Sequence, residues 1–341
     1  MMAKVVTFGE VMLRLAPPEY LRVVQTELFE ATYGGAECNV AVSLANYGID
    51  AAFVTRLPKN NIGDAAINAC RRYGVDTSLI VRGGERVGIY YCEKGASVRP
   101  SKVTYDRAHS SISTAKVGDI DWDKAFDGAE WFHFTGITPA LSDDVAELTL
   151  EGCKKAKEKG LMVSCDLNFR KKLWSKEKAC AVMSELMKYV DVCIANEEDA
   201  DDVFGIKAPA TDITKGELDR EGYKYVAKTL AERFDFKYVA ITLRESISAS
   251  DNNWSAMLYD GSDFMFSKKY ALRIVDRVGG GDSFGGGLIY GLISGMSAKD
   301  SLEFAVAASA LKHTIHGDMN QVSVDEVKTL MGGDASGRVQ R

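Results

Sequence analysis

Asp276-Arg277-Val278-Gly279-Gly280-Gly281-Asp282-Ser283-Phe284 is the stretch on which the reading of this chain turns. Three consecutive glycines let a backbone turn with positive φ and bring unhindered N–H groups close to a ligand. The uncharged run behind them, rich in Gly, Leu and Ile as far as Ala298, reads as a buried helix. The first N–H groups of a helix lack intrahelical partners, and the dipole is positive there, so an anion is welcome. Asp282 stands at that mouth, where a carboxylate could take a proton from an attacking hydroxyl. The nine residues fit a phosphoryl-transfer site, a chemistry that asks mainly for positioning and charge stabilisation. They fit a tight turn with an aspartate N-cap equally well.

At 341 residues the chain can bury a substantial core, as one large α/β domain or two smaller ones. Its hydrophobic share of 46% and charged share of 26% are ordinary for a globular protein. A net charge of −6 leaves no basic footprint for nucleic acid or an anionic membrane, so Arg and Lys at an anionic ligand must be local features. The N-terminal Met-Met-Ala-Lys-Val-Val-Thr-Phe-Gly is too short in its apolar part for a signal peptide, and Ser283 to Ala298 is too short and glycine-rich to span a bilayer. Seven cysteines, with no Cys-x-x-Cys pair and mostly within apolar runs, read as reduced core residues of a cytoplasmic protein. His109, His133, His313 and His316 lack metal-ligand spacing, and His133 reads as a core strand residue.

Lys4 to Gly9 has the apolar density of a buried strand, with Val11 to Leu15 and Leu28 to Tyr33 as shorter ones about a proline-containing loop. Gly34-Gly35 opens a helix closed by Gly48; Ala51 to Arg56, a helix over Ile62 to Tyr73, and a strand over Ser78 to Val81 follow. Gly88 to Glu93 alternates poorly and is rich in tyrosine, and Lys102 to Tyr105 is similar. From Trp131 the rhythm becomes strand, helix, strand, helix, the pattern of a parallel sheet covered on both faces. Ligands in such sheets bind beyond the carboxyl ends of the strands. Asp166-Leu167-Asn168-Phe169-Arg170, Asn196-Glu197-Glu198-Asp199 and Thr242-Leu243-Arg244 all fall there. The chain contains no Gly-x-x-x-x-Gly-Lys-Ser/Thr and no Gly-x-Gly-x-x-Gly, which argues against P-loop and dinucleotide chemistry.

The opening stretch resembles the C-terminal signature of the ribokinase-like (PfkB) sugar kinases, Asp-Thr-x-Gly-Ala-Gly-Asp, with Arg277 for Thr and Gly280 for Ala. Gly34-Gly35-Ala36-Glu37-Cys38-Asn39-Val40-Ala41, continuing through Leu44-Ala45-Asn46-Tyr47-Gly48 to Gly63-Asp64, is similar to the N-terminal signature of the same family. Two motifs in the right order are far more specific than either alone. The resemblance implies an α/β fold, a three-layer α/β/α ribokinase-like arrangement with a mostly parallel central sheet and a small β-sheet lid. The kinase domain would occupy 1–332, with lid strands from about 11–33 and 84–110 and a flexible tail at 333–341.

It also implies roles. Gly279, Gly280, Gly281 and the N–H of Asp282 would hold the charge developing on the γ-phosphate of ATP, and Asp282 would be the general base. Asn196 and Asp199 match the family's Asn-x-x-Glu motif, which arranges Mg²⁺ and its waters, although Asp199 is one methylene short. An acidic first helical turn is the alternative for these residues. Thr242 matches a nucleotide-side threonine, Arg244 stands where glycine is usual, and Thr242 to Asn253 is expected to shape the adenine-ribose pocket. ATP and Mg²⁺ follow as cofactors, with a monovalent cation left open.

Gly34, Gly35 and Asn39 resemble contacts to sugar hydroxyls, and Tyr90, Tyr105, Arg107, Asp166, Asn168 and Arg170 surround them. Two arginines exceed the needs of a neutral hexose, whereas a carboxylate matches a guanidinium fork; each Arg alone is equally a surface ion pair. The set is similar to that of 2-keto-3-deoxygluconate kinases, as is the Gly317-Asp318-x-Asn320 turn. The expected activity is ATP-dependent phosphorylation of the 6-hydroxyl of 2-dehydro-3-deoxy-D-gluconate. Alternatives are another PfkB kinase, for fructose, ribose or 2-dehydro-3-deoxygalactonate, and a non-catalytic sugar-binding relative. A homodimer or larger oligomer through the lid edges is expected.

Overall fold

The computed structural model describes residues 4–196, 198–208 and 220–334. The expected tail at 333–341 therefore lies, from residue 335 on, outside the described residues, as does Glu197. Strand β1 (Lys4–Phe8) is apolar without alternation and buried from Val5 to Phe8, as a strand covered on both faces must be. Strands β2 (Met12–Ala16) and β3 (Glu30–Gly34) lead into α1 (Ala36–Asn46), then β4 (Asp50–Val54), β5 (Arg56–Leu57), α2 (Asn61–Arg71) and β6 (Val81–Arg82). The side chain of Asn60 caps α2 by accepting from Gly63 N–H at 3.0 Å. Next come β7 (Ile89–Glu93), β8 (Lys102–Asp106) and the short α3 (Trp122–Ala125).

The alternating half comprises β9 (Ala129–Thr135), α4 (Asp143–Glu158), β10 (Met162–Asp166), α5 (Lys176–Met187) and β11 (Val192–Asn196). It continues through α6 (Asp199–Phe204), α7 (Arg220–Phe234) and β12 (Tyr238–Ser246). Ser142 and Ser175 cap α4 and α5 through the N–H groups of Val145 and Lys178. Three further strands, β13 (Asp251–Tyr259), β14 (Phe264–Phe266) and β15 (Tyr270–Arg273), precede α8 (Gly280–Ile293), α9 (Ala298–Lys312) and α10 (Val324–Met331).

The large sheet has the order β14-β13-β12-β11-β10-β9-β1-β4, with β15 also on β13. It is parallel from β12 to β4 and antiparallel where β13 meets β12, β14 and β15. Separate apolar cores cover its faces: Phe132, Phe134, Val163, Leu148 and Met183 on one side, and Val5, Phe53, Leu44, Phe284 and Leu288 on the other. The second sheet has the order β3-β2-β7-β8. Fold class and the mostly parallel sheet are as the sequence implied.

One local expectation changes, and the register of one segment is now defined. Ser78 to Val81 is not a strand over its length: the Asp76 side chain accepts Ser78 N–H at 2.8 Å and Thr77 O accepts Ile80 N–H at 3.2 Å, so turn chemistry wins and only Val81–Arg82 pairs. The Thr242 to Asn253 segment is a β-hairpin whose ladder sets Thr242 opposite Ala256 and Arg244 opposite Trp254. His133 is buried with Nδ1 2.8 Å from Ser164 Oγ, and burial pushes its imidazole down to about 3, so it stays neutral. All seven cysteines are free thiols, six of them buried. Among the described residues no helix is long and apolar enough to cross a membrane.

The two sheets are joined by a buried charge cluster. Arg14 of β2, 2% exposed, donates to Asp318 Oδ1 at 2.5 Å and to Asp276 Oδ2 at 2.6 Å. Tyr90 of β7 donates to the other oxygen of Asp318. Removing one partner of a buried ion pair leaves the others uncompensated. Arg14→Met is therefore expected to cost about 3–5 kcal/mol of stability, read by urea denaturation.

Candidate active site

One cleft of about 370 Å³ opens beyond the carboxyl ends of the parallel strands, beneath the small sheet. The small sheet contributes Tyr90, Tyr105 and Arg107 to its lining, and the start of α1 contributes Gly34, Gly35 and Asn39. The ends of β10 and β11 bring Asp166, Asn168, Arg170, Asn196 and Asp199; β12 brings Thr242 and Arg244; the loop into α8 brings Gly279, Gly280, Gly281 and Asp282. Every residue given a catalytic, substrate, nucleotide or metal role from the sequence thus lines one cavity. Asp318, Arg277 and Trp254 line it as well.

The three glycines of the loop stand in different surroundings. Gly279 has φ +83°, and a Cβ there would lie 1.8 Å from the Asp318 carbonyl oxygen. A Cβ on Gly280 would lie 2.4 Å from the His313 ring. A Cβ on Gly281 would meet open space, so nothing in the protein itself excludes a side chain there. Gly280 N–H donates to Arg277 O at 3.3 Å and Ser283 N–H to Gly279 O at 2.9 Å. The N–H groups of Gly281 and Asp282 have no acceptor among the described residues. The Gly280 N–H, expected with its neighbours to serve a ligand, is engaged within the turn. Ser309 Oγ donates to Gly280 O at 2.7 Å and Val278 N–H to Asp276 Oδ1 at 3.2 Å, which fixes the loop from behind.

Asp282 Oδ2 accepts from Asn39 Nδ2 at 2.7 Å. Burial pushes its carboxyl up to about 6, against the pull of the Asn39 hydrogen bond and with a further push from the Asp318 charge. Asn39, expected among the sugar contacts, is thus engaged with the carboxylate beside the loop. Asp166 is raised well above the usual carboxylate range, first by burial and then by the charges of Asp199 and Asp282. Asn168 follows with φ +39°, a left-handed turn that Asn tolerates, and directs the chain to Arg170. Arg170 is exposed, holds only the Phe169 carbonyl at 3.0 Å, and has no carboxylate in ion-pair reach among the described residues. Arg107 differs: it donates to buried Glu10, which also accepts from Ser110 Oγ at 2.5 Å, and its guanidinium lies 5.3 Å from the Tyr105 ring centroid. The Arg107 Nε is buried without a partner.

At the end of β11, Asn196 Oδ1 accepts the N–H groups of Glu198 and Asp199 at 2.7 and 3.0 Å. Both Asp199 oxygens accept backbone N–H groups, of Phe169 and of Asn196, each at 3.1 Å. These side chains fold the strand end, so direct coordination of a metal is not their main employment. Among the described residues no group of three carboxylates, histidines or cysteines is close enough to ligate a metal directly, so these side chains fit a cation held through water; the charges of Asp199 and Asp282 already raise the proton affinity of Asp166. Thr242 Oγ1 donates to Ala195 O at 3.4 Å. Arg244 is exposed and Arg277 half-buried, with Arg277 Nη2 on Ala249 O at 2.9 Å. Asp318, named from the sequence only as part of the Gly317-Asp318-x-Asn320 turn, lines the cleft because that turn folds back against β2 and β7.

Comparison with known proteins places the geometry. The family model for pfkB family carbohydrate kinases matches residues 2–325. The chain is 36% identical over 336 residues to the 2-dehydro-3-deoxygalactonokinase of Haloferax volcanii, covering 98% of this chain and 99% of that one. It is 28% identical over 328 residues to the 2-dehydro-3-deoxygluconokinase of Bacillus subtilis, covering 94% and 93%. The crystal structure of 2-dehydro-3-deoxygluconokinase from Thermotoga maritima superposes with a TM-score of 0.93 at 54% identity, covering 97% of this chain and all of that one.

The loop geometry separates two glycines experimentally. Gly279→Ala should lose at least about 2 kcal/mol of stability in thermal denaturation, from the left-handed backbone and the carbonyl it would strike. Gly281→Ala should stay within about 0.5 kcal/mol of the parent.

Proposed function

Because the chain belongs to the pfkB family of carbohydrate kinases, we propose that it transfers the terminal phosphoryl group of ATP to the 6-hydroxyl of 2-dehydro-3-deoxy-D-gluconate. The observation that carries the reading is the pairing of Asp282 with two free main-chain N–H groups in the cleft that also holds an arginine without a carboxylate. Asp282, oriented by Asn39, accepts the proton of the attacking hydroxyl. The N–H groups of Gly281 and Asp282 meet the negative charge that develops on the transferred group. Arg170 takes the sugar-acid carboxylate as a planar fork, and Arg107 offers its free Nε.

Tyr90, locked by Asp318, and Tyr105 shape the sugar side, with Asp166, Asn168 and the bare backbone of Gly34 and Gly35. Thr242, Arg244 and Asn196 serve the nucleotide. Asn196 and Asp199, with Asp166 nearby, would hold Mg²⁺ through water, where it supplies charge neutralisation of phosphate oxygens. Lid edges would pair in a homodimer, testable by light scattering at micromolar concentration.

The galactonate epimer is the second reading, favoured by the 36% identity to a galactonokinase. The two acids differ at one hydroxyl, which a few hydrogen bonds discriminate. ADP release with a panel of neutral sugars and 2-dehydro-3-deoxy acids tests the substrate class; turnover of neutral hexoses alone would sink it. Arg170→Ala should raise KM for the sugar acid by roughly tenfold or more while leaving any neutral-sugar activity unaltered.

Asp282→Asn should lower kcat by about a thousandfold or more with sugar-acid binding retained. The acid limb of kcat/KM should have an apparent pKa near 6, since below it the base is protonated. The sign for stability is opposite to that of a salt-bridged aspartate. A folded-state value above the unfolded one makes the ionised form unfavourable in the fold, so stability falls as pH rises from about 4 to 6. Asp282→Asn should therefore melt higher than the parent at pH 8.

A further inference from the structure

Lys312 is a buried charged group that the proposed transfer step does not use. Its side chain is 0% exposed, in the last turn of α9, and its Nζ donates to the carbonyl oxygens of Asp276 and Ile315 at 3.2 and 3.3 Å. No carboxylate lies within ion-pair distance of the Nζ among the described residues, so it is held as a free ion is held, by main-chain oxygens with acidic groups one step away. The residues on either side of it in the helix brace the glycine loop. Ser309 donates to Gly280 O at 2.7 Å, and the His313 ring fills the space that a side chain on Gly280 would take. His313 O accepts the N–H groups of Val275 and Asp276 at 2.8 and 3.3 Å.

The charge count around the loop shows why an ammonium belongs there. Asp276 and Asp318 bring two negative charges into a region where Arg14 supplies one positive charge, and Asp282 adds a third carboxylate at the cleft. The loop is the segment that must present its amides to a polyanion, and an uncompensated negative charge behind it would oppose that. The Lys312 ammonium removes the imbalance. Burial lowers its proton affinity, with a smaller push from Arg14, and the charges of Asp276, Asp318 and Asp282 offset this only in part.

We propose that Lys312 is a built-in counter-ion of the glycine loop: held by the Asp276 and Ile315 carbonyls, its ammonium fills a site a free monovalent cation would otherwise take. The enzyme is consequently indifferent to which monovalent cation surrounds it, and Lys312 acts as a positioning residue for the loop amides. This rests on the kinase reading for its activity arms and stands apart from it in a stability arm.

The experiment has three parts. In the parent enzyme, kcat measured at equal ionic strength in sodium, potassium and tetramethylammonium chloride should agree within about twofold; stimulation of about tenfold or more by one small cation would overturn the proposal. Lys312→Met should lose roughly tenfold or more in kcat with little change in the sugar-acid KM; parent-like kcat would overturn it. Lys312→Ala should regain activity, and melt at a higher temperature, in ammonium or potassium chloride relative to tetramethylammonium chloride, as binding to the folded state requires. An equal response to all three salts would overturn it. If either variant does not fold, the parent's response to cation identity decides. If the kinase reading itself fails, no sugar acid releases ADP in any salt, and the cation-specific melting shift of Lys312→Ala still decides.

Discussion

The guanidinium of Arg14 sits between two carboxylates that come from distant parts of the chain, Asp276 before the glycine loop and Asp318 in the C-terminal turn. Burying three charges is costly unless each finds its partner in good geometry, so the loop, the turn and the small sheet must arrive together. Asp318 then meets Tyr90, and its carbonyl oxygen occupies the space left by the missing side chain of Gly279. The left-handed turn at Gly279 is the consequence: with the backbone of residue 318 in place, the loop has one way to reach α8.

From that turn the site is assembled by strand ends. β10 and β11 run parallel, β11 ending two residues beyond the partner of Asp166, which brings Asp166 and the Asn196 to Asp199 corner to the same cleft as the loop. Asp199 holds the N–H of Phe169 from the neighbouring strand end as well as that of Asn196, so one acidic side chain registers two segments. Burial raises the proton affinity of Asp166 and Asp282, helped at Asp166 by the charges of Asp199 and Asp282 and at Asp282 by that of Asp318. Such a cluster is unfavourable in an empty fold, and perturbed groups in a cleft of this kind are the signature of a place built for ligands.

Much of this was legible in the sequence because it is local. The Gly279 to Asp282 loop, the Gly34-Gly35 opening of α1 and the βαβ rhythm after Trp131 are each encoded by consecutive residues with their own geometric demand. What was not legible depends on contacts between distant segments. Asp318 looks like a turn residue until it meets Arg14 and Tyr90. Glu10 gives no sign, in the run Phe8-Gly9-Glu10, that it will neutralise one edge of Arg107. Gly280 and Gly281 are identical letters, yet one amide closes a turn and the other faces the cleft. The hairpin from Tyr238 to Tyr259 was hidden for another reason: polar residues such as Arg244, Glu245 and Asn253 dilute the alternation by which a paired strand is recognised.

The empty space over Gly281 has a consequence for how such a molecule can change. The groups that face it are peptide N–H bonds, which every residue but proline possesses, so the coding sequence can drift without erasing them as long as nothing bulkier than hydrogen projects there. Tyr90 and Tyr105 across the cavity lie on a separate sheet, with Arg107 directly after its last strand, and such side chains can be exchanged one at a time. An ancestral scaffold of this kind can therefore acquire new acceptors by editing its cover while the machinery beneath is inherited intact.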